Sequence, residues 1–545
     1  MSGTVWETNR LVTRRAILDR TLFLWAALIL CGLLPLLFLY SIDNLAPVAA
    51  TSVLLQWVIV LWSGLRLSAI AGAGKARPIA TTFWLYVYVW LGIAGFVQLM
   101  SGRSPPSWPT PLDPRNLLVT QLVILAGLSA VELGALGAEQ RRRRDTSDFP
   151  GHSVPDMQDA RELGAGSQPR SSWLSGLLRR TVSGRAILWL CLYAVVTFPF
   201  WLHQLGGVNA LLDSRQALSS AVYGSGDSKV LGGIIVALST VPVFVAAYAL
   251  WLGRVRNLVR RGLTGLLLCV LIGINLLINS PIAMPRFWTG TILVAIIFGT
   301  AWVRRHGGIR IVILSALIGT IVLFPYGAYF RYSTGFKPVD DVVQTIQTKS
   351  DYDSFQMVGA AVHRVNDRGH TMGEQAAGAM LFFVPRSEWP SKPTDTGAKL
   401  AGEVGLDYTN LAAPLWAETY LDFGFAGVIL VFLIYGYFMR RIDDIFLRAT
   451  SPFLLFAAPV IAGYSVIVLR GPLLQAMVRL FAIAFCLWFI SRRSMRNQAP
   501  KQRSTAEMPS ASTEKPPQRH SQHHATQPGR GVHPAAGVYE RPGFG

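Results

Sequence analysis

Seven arginines carry the part of this sequence that points most directly to chemistry: Arg215, Arg286, Arg331, Arg364, Arg386, Arg470 and Arg479. A guanidinium is a planar fork of donors that matches phosphate oxygens two at a time, so several gathered in one place define a site for a phosphorylated ligand. Each alone reads as a snorkelling side chain or a loop ion pair. Six of them fall where the charge pattern described below gives no reason for arginine, and Arg479 lies inside an apolar run. As a set they read as a pocket for a lipid-linked pyrophosphate. Glu132 is the other charge within a span, but by residue count it differs from Arg479 in depth by about 13 Å at ~1.5 Å per residue. An anionic ligand in a cavity is the better counter-charge.

Metal chemistry has little support. No His/Cys cluster has zinc spacing, and the four cysteines (Cys31, Cys191, Cys269, Cys486) all sit inside apolar runs as small buried residues. No Asp-x-Asp pair stands out beside the arginines; Asp340–Asp341 is adjacent and reads as a helix N-terminal charge pair. The histidines of His520–His524 belong to a solvated low-complexity tail. Neither a metal nor a cofactor is expected.

The elements that must position these arginines are membrane spans. Half of the 545 residues are hydrophobic and only 15% are charged, with a mean hydropathy of +0.39. The apolar residues come in runs of about twenty, the length that crosses a bilayer core. Twelve spans are expected near 21–42, 46–65, 81–100, 116–138, 185–204, 232–252, 263–280, 288–303, 311–328, 421–439, 452–469 and 472–491. With the N-terminus inside, every even-numbered connection is basic: Arg66, Lys75 and Arg77; Arg141–Arg144 with Arg179 and Arg180; Arg254, Arg256, Arg260 and Arg261; Arg304, Arg305 and Arg310; Arg440, Arg441 and Arg448. The tail opens with Arg492, Arg493 and Arg496. This alternation places both termini in the cytoplasm. It also accounts for most of the net charge of +20 without nucleic acid as a partner.

The chain thus divides into a cytoplasmic N-terminus (1–20), spans 1–4 (21–138), a cytoplasmic loop (139–184), spans 5–9 (185–328), a large extracytoplasmic loop (329–420), spans 10–12 (421–491) and a disordered basic cytoplasmic tail (492–545). Within the large loop, Val342, Val343 and Ile346, then Phe355, Val358, Val362 and Val365, recur at helical spacing and predict amphipathic helices on the membrane surface. The run Gln375–Val384 is apolar but too short to span, hence interfacial or re-entrant. A stiff, charged stretch follows it, "PRSEWPSKPTDTG" from Pro385. Long ordered loops in compact proteins are usually functional.

Three stretches of this region, "YDSFQMVGAAVHRV", "FFVPRSEWPSKPTDTGAKLA" and "NLAAPLWAETYLDFGFAGVILVFLIYGYFMRR", resemble the Wzy-type O-antigen and capsule polymerases, which polymerise oligosaccharide repeat units. The likeness covers about residues 325–441. The Arg-x10-Gly spacing described for two outer loops of that family is met by Arg215 to Gly226 and by Arg386 to Gly397. The resemblance implies an all-α polytopic fold, GT-C-like, in the bacterial cytoplasmic membrane, with the helical outer loop over a cavity. It implies transfer of a glycan from a polyprenyl pyrophosphate to a second lipid-linked repeat unit, with arginines stabilising the departing pyrophosphate. Arg386, Arg215 and Arg331 are then the foremost catalytic candidates. His363, Glu388 and Glu418 are the nearest candidates for a base toward the acceptor hydroxyl. Arg286, Arg364, Lys392, Arg470, Arg479 and Trp389 would bind substrate. Polyprenyl-pyrophosphate-linked oligosaccharides and membrane lipid are the implied partners, with a chain-length regulator and a flippase beside them. Two other classes stay open. An O-antigen ligase shares the donor and the large loop and differs in acceptor. A non-enzymatic flippase or transporter calls for repeated halves and charges at mid-membrane, neither of which is prominent here.

Overall fold

The computed structural model describes residues 3–103, 113–147, 180–223, 229–323, 341–403, 405–406 and 411–493. Arg331, Gly226, most of the 139–184 loop and nearly all of the tail lie outside them.

The chain folds as a helical membrane protein. Eight helices are long and apolar enough to cross a bilayer: α1 (Arg15–Tyr40), α2 (Ala50–Ala73), α3 (Pro78–Ser101), α4 (Pro114–Arg144), α9 (Leu231–Val255), α17 (Leu415–Arg448), α18 (Pro452–Arg470) and α19 (Leu473–Ile490). The span expected at 185–204 is a broken one. Helices α5 (Gly184–Val196) and α6 (Phe198–Gln204) meet at 49°, and counted together they make a ninth span. Pro199 sits at the start of α6 and has no N–H to continue the ladder of α5. The spans expected at 263–280, 288–303 and 311–328 are met by shorter apolar helices, α10 (Thr264–Ile278), α11 (Arg286–Gly299) and α12 (Gly308–Val322). At ~1.5 Å per residue each is about 22 Å long, less than a ~30 Å hydrocarbon core. Between α6 and α9 lie α7 (Gly207–Asp213) and α8 (Arg215–Tyr223).

Helix α3 is the axis of the bundle. It is apolar on every side, and 94% of its spanning window is enclosed by protein, as expected of a helix without a polar face. Helix α1 is the opposite case: only 17% of its window is enclosed, and Leu24, Trp25, Leu28 and Leu33 are exposed. So broad an apolar exterior suits acyl chains and not water. Helices α4 and α17 cross at Gly134 and Gly436, where a Cβ on either would sit inside the partner's backbone at Leu433 or Val131. Small residues permit this approach, and close packing drives helix association in lipid.

The described part of the large loop is helical: α13 (Val342–Thr348), a single 3₁₀ turn at Ser350–Tyr352, α14 (Ser354–Arg368), α15 (Glu374–Met380) and α16 (Thr396–Glu403). Its apolar stripes fall where the spacing predicts, but they face protein and not the membrane surface. Val343, Ile346, Phe355, Val358 and Val362 are all buried, and α14 packs against α3, α4 and α17. These helices close one end of the bundle. Ion pairs gather at the other end: Arg66–Glu132, Arg440–Glu139 and Arg310–Asp19. There a two-stranded antiparallel ladder, β1 (Arg180–Val182) with β2 (Ser491–Arg493), ties the start of α5 to the end of α19. It stands in segments expected to be loop and tail. Of the four cysteines, Cys191 and Cys486 are buried, Cys31 is half-buried and Cys269 is exposed; none is in a disulfide.

Candidate functional site: an arginine-lined cavity

Four of the seven arginines, more than 250 positions apart at the extremes, line one cavity of about 130 Å³ at the closed end of the bundle: Arg215, Arg286, Arg470 and Arg479. Each is set there by a helix terminus or a short offset from one. Arg215 opens α8 directly after Ser214, whose hydroxyl accepts the Ala217 N–H (3.1 Å) as a cap. Arg286 opens α11 after Pro285, Arg470 closes α18, and the Gly471-Pro472 turn leads into α19. Arg479 lies six residues into α19, about 9 Å along it.

Their partners differ. Arg286 pairs with the carboxylate of Asp351, which also lines the cavity. Arg470 donates to the Ser350 carbonyl (2.9 Å) and to the Asp353 carboxylate (3.3 Å), and its guanidinium lies 4.5 Å from the centre of the Phe287 ring. Arg479 lies 5.4 Å from the centre of the Trp288 ring. Trp288 is fixed in turn by its indole N–H on Asn279 Oδ1 (2.7 Å), and Asn279 donates to the Thr240 carbonyl (3.1 Å). Among the described residues no hydrogen bond or ion pair reaches Arg479, and its buried Nε has no acceptor. The Nε of Arg470 is likewise buried and unbonded. Glu132, weighed above as a partner for Arg479, pairs with Arg66 at the other end of the bundle.

The 350–353 segment forms the wall between these arginines and the axial helix. Trp90 of α3 donates to the Asp351 carbonyl (2.9 Å), Gln98 of α3 to the Tyr352 carbonyl (2.8 Å), and the Tyr352 hydroxyl to the Thr320 carbonyl of α12 (2.7 Å). Asp353 is fully buried and accepts the Ala412 N–H (3.0 Å). Burial raises its carboxyl to about 6, against the pull of Arg470 toward the ionised form. Among the described residues, four guanidinium groups face the two carboxylates of Asp351 and Asp353, a net charge of +2. The cavity is therefore suited to an anion with several oxygens.

The other candidates are placed elsewhere. Arg386 lies in the stiff segment, but its guanidinium turns back on that segment. It donates to the Lys392 carbonyl (2.6 Å) and the Pro393 carbonyl (3.1 Å). The Lys392 ammonium is buried and donates to the carbonyls of Phe382 and Val384 (2.7 Å each), and burial lowers its pKa. Together the two cations close residues 382–393 into a knot. Gly397, eleven residues after Arg386, has no room for a Cβ against the Leu411 carbonyl, so that glycine permits close approach of α16. Trp389 donates to the Ser391 hydroxyl (3.0 Å), and Glu388 is exposed. Arg364 ties α14 to Glu403 of α16 (3.0 Å) and to the Gly369 carbonyl (2.9 Å). His363 is half-exposed, 3.3 Å from Asp367 and 3.5 Å from Asn116.

Glu418 is buried beside the cavity wall without lining it. Its carboxylate accepts the Leu473 N–H (2.9 Å) at the first turn of α19 and the Thr396 hydroxyl (2.7 Å) of α16. It positions the helix that carries Arg479.

Three groups were not anticipated from sequence. The Asp-x-Asp spacing not expected beside the arginines is present at Asp351-Tyr352-Asp353, and its carboxylates lie on Arg286 and Arg470. Among the described residues no three His, Cys, Asp or Glu side chains gather in a metal-holding group. Tyr464 and Gln475, polar residues within or at the edge of apolar helices, line the cavity too. Asp422 of the "DFG" stretch is buried. It accepts the N–H groups of Gln375 (3.1 Å) and Ala376 (2.8 Å) and the Thr371 hydroxyl, capping α15. Two residues on, Gly424 adopts φ 61°, ψ −148°, a conformation only glycine takes without strain, with the His370 ring where a side chain would stand.

Fold and site together define a polytopic helical membrane protein with a cationic cavity at one end of its bundle. No protein-family model, curated protein or solved structure matches the chain.

Proposed function

We propose that the chain is a membrane glycosyltransferase that polymerises lipid-linked oligosaccharide repeat units for a surface polysaccharide. The observation that carries this reading is the convergence of Arg215, Arg286, Arg470 and Arg479 on one cavity with net positive charge, two of them holding a buried Nε without an acceptor. The donor is an oligosaccharide on a polyprenyl pyrophosphate. The acceptor hydroxyl of a second repeat unit attacks the anomeric carbon and loses its proton to a base. A glycosidic C–O bond forms, the C–O bond to phosphate breaks, and the pyrophosphate leaves with that electron pair. Guanidinium groups already in place around the departing oxygens stabilise the charge that develops there. Among the described residues Asp351 is the carboxylate that lines the cavity, so it joins His363, Glu388 and Glu418 as a candidate base and is better placed than they are.

This reading takes α5–α6 and the short helices α10–α12 as spans alongside the eight long ones, twelve in all. Both termini then lie in the cytoplasm, and the closed end with its cavity faces the outer side of a bacterial cytoplasmic membrane. The basic character of every even-numbered connection supports that sidedness.

The test is glycan chain length from cells carrying Arg479→Gln, read beside membrane abundance. Removal of a transition-state anion donor costs about 10²–10³ in rate, so long chains should be lost from a normally abundant protein. Unchanged long chains would remove the arginine cavity from the reaction. If single repeat units still reach the final acceptor, the lost step is polymerisation; if none do, it is ligation.

A further inference from the structure

The basic end of the bundle holds a second cavity, about 170 Å³, between α2, α3, α4 and α17. Its charged lining is Arg66, Lys75, Arg77, Glu132, Arg440 and Asp443. The acids among these are already engaged. Glu132 pairs with Arg66 and receives the Trp62 indole N–H (3.5 Å). Asp443 is buried, and its two oxygens accept the N–H groups of Ile79 (3.0 Å) and Ala80 (2.9 Å), capping α3. Arg440 is held by Glu139 (2.8 Å) and Asp444 (3.5 Å). Among the described residues no hydrogen bond or ion pair joins the side chain of Lys75 or of Arg77; half-buried Arg77 feels the charges of Asp443, Asp444 and Glu139 only at longer range, and that of Arg440 against them. The lining itself counts four cations (Arg66, Lys75, Arg77, Arg440) against two acids (Glu132, Asp443), a net charge of +2 among the described residues.

Topological charge bias accounts for cations at this end. It does not account for two of them meeting in a cavity whose lining carboxylates, Glu132 and Asp443, are each bonded to other groups. Nor is the cavity walled off from lipid. Leu65, Leu133 and Leu136, beside Arg66, Glu132 and Ala135 in the chain, are exposed apolar residues. The site thus lies where the apolar belt meets the ends of the spans, the level of phospholipid headgroups.

We infer that this cavity binds the phosphate of an anionic phospholipid headgroup, held by Arg77 and Lys75 and bordered by Arg66. Basic pockets between transmembrane helices favour such headgroups, each nearby cation contributing on the order of a fivefold gain in affinity. The site is separate from the arginine cavity and does not depend on the glycosyl-transfer reading.

The experiment uses the full chain, purified in neutral detergent and titrated with phosphatidylglycerol, phosphatidylcholine or inorganic phosphate, with bound lipid counted by native mass spectrometry. Phosphatidylglycerol should bind at least tenfold more tightly than phosphatidylcholine, and added salt should weaken it. Arg77→Gln should weaken it about fivefold and Lys75→Gln with Arg77→Gln about thirtyfold, while Arg77→Lys should nearly restore it. Should the double variant fail to fold, the salt dependence of the wild-type protein and the Arg77→Lys result still decide. Equal binding of the two lipids, indifference to Arg77→Gln or to salt, or displacement of the lipid by millimolar inorganic phosphate would each overturn the inference. The last result would assign the cavity to a free anion.

Discussion

Removing Arg470 should expose how the arginine cavity is held together. Asp353 is fully buried behind it, and its carboxyl is raised from 3.8 to about 6, so ionising it within the fold costs about 3 kcal/mol at 1.36 kcal/mol per pH unit. Arg470→Gln takes away the cation that opposes this shift and leaves the Ala412 N–H as the carboxylate's remaining partner among those described. Breaking a buried pair from one side typically costs about 3–5 kcal/mol, because the other charge stays buried. The loss must depend on pH. A carboxyl whose folded value is raised binds a proton in the fold that the unfolded chain has released, so stability falls as pH rises from 3.8 to the folded value and then levels off. In the variant the folded value lies above 6, which widens that window. Arg470→Gln should therefore cost about 3–5 kcal/mol at pH 8 but only about 1–2 kcal/mol at pH 5, where Asp353 is protonated and the loss is that of hydrogen bonds. Adding Asp353→Asn should recover most of the difference at pH 8. The measurement is the unfolding midpoint of the detergent-solubilised protein at both pH values for wild type, single and double variants. A single variant as stable as wild type at pH 8, or no recovery from the second substitution, would refute the account of Asp353 as a charge held by Arg470. Arg479→Gln is the contrasting case. It strands no carboxylate, so its stability cost should stay near the ~0.5–2 kcal/mol of its contact with Trp288.

Asp422→Ala removes three acceptor contacts at the start of α15 and should cost about 2 kcal/mol, read as faster proteolysis between residues 371 and 396. Arg386→Ala frees the Lys392 and Pro393 carbonyls, so it should loosen the 382–393 knot by about 1–3 kcal/mol; any effect on glycan length should follow protein abundance, and loss of chains at full abundance would return Arg386 to the chemistry. Reporter fusions at Ser350 and Gln498 should report opposite compartments if the closed end faces outward, and the same compartment would invert the sidedness.

Much of this architecture is legible in the sequence because lipid imposes simple rules. Apolar runs of bilayer length locate α1–α4, α9 and α17–α19, and the stripes of Val343, Ile346, Phe355 and Val358 locate the loop helices. What those stripes face is not legible, since a protein surface and a membrane surface ask for the same periodicity. Helix length is lost too where apolar residues run on past the last hydrogen-bonded turn, as at α10–α12. For the site, scarcity is the informative property. Arginine at the ends of spans away from the basic connections selects Arg215, Arg286 and Arg470, and arginine inside an apolar run selects Arg479. The same rule selects Arg386 and Arg364, whose acceptors are carbonyls five to seven residues away or a carboxylate on another helix, a geometry that spacing does not encode. The Asp351-x-Asp353 spacing is legible in the sequence; the pairing of Asp351 with Arg286, 65 positions earlier, is not.

The enclosure of α3 also sets a schedule. Its hydropathy is high enough for lipid, yet in the finished bundle it touches almost none. One wall of its enclosure is α18, joined to it by the hydroxyls of Thr82 and Ser465 (3.2 Å), and α18 begins at Pro452, 351 positions after Ser101. At roughly 5–20 residues per second of synthesis, α3 spends about 18–70 s in the membrane before that wall exists. During that interval acyl chains must lie where α18 will pack, and the last spans must expel them. The axial helix is thus first a lipid-facing span and only later a protein core, and a chain stopped short of Pro452 would keep it in the first role.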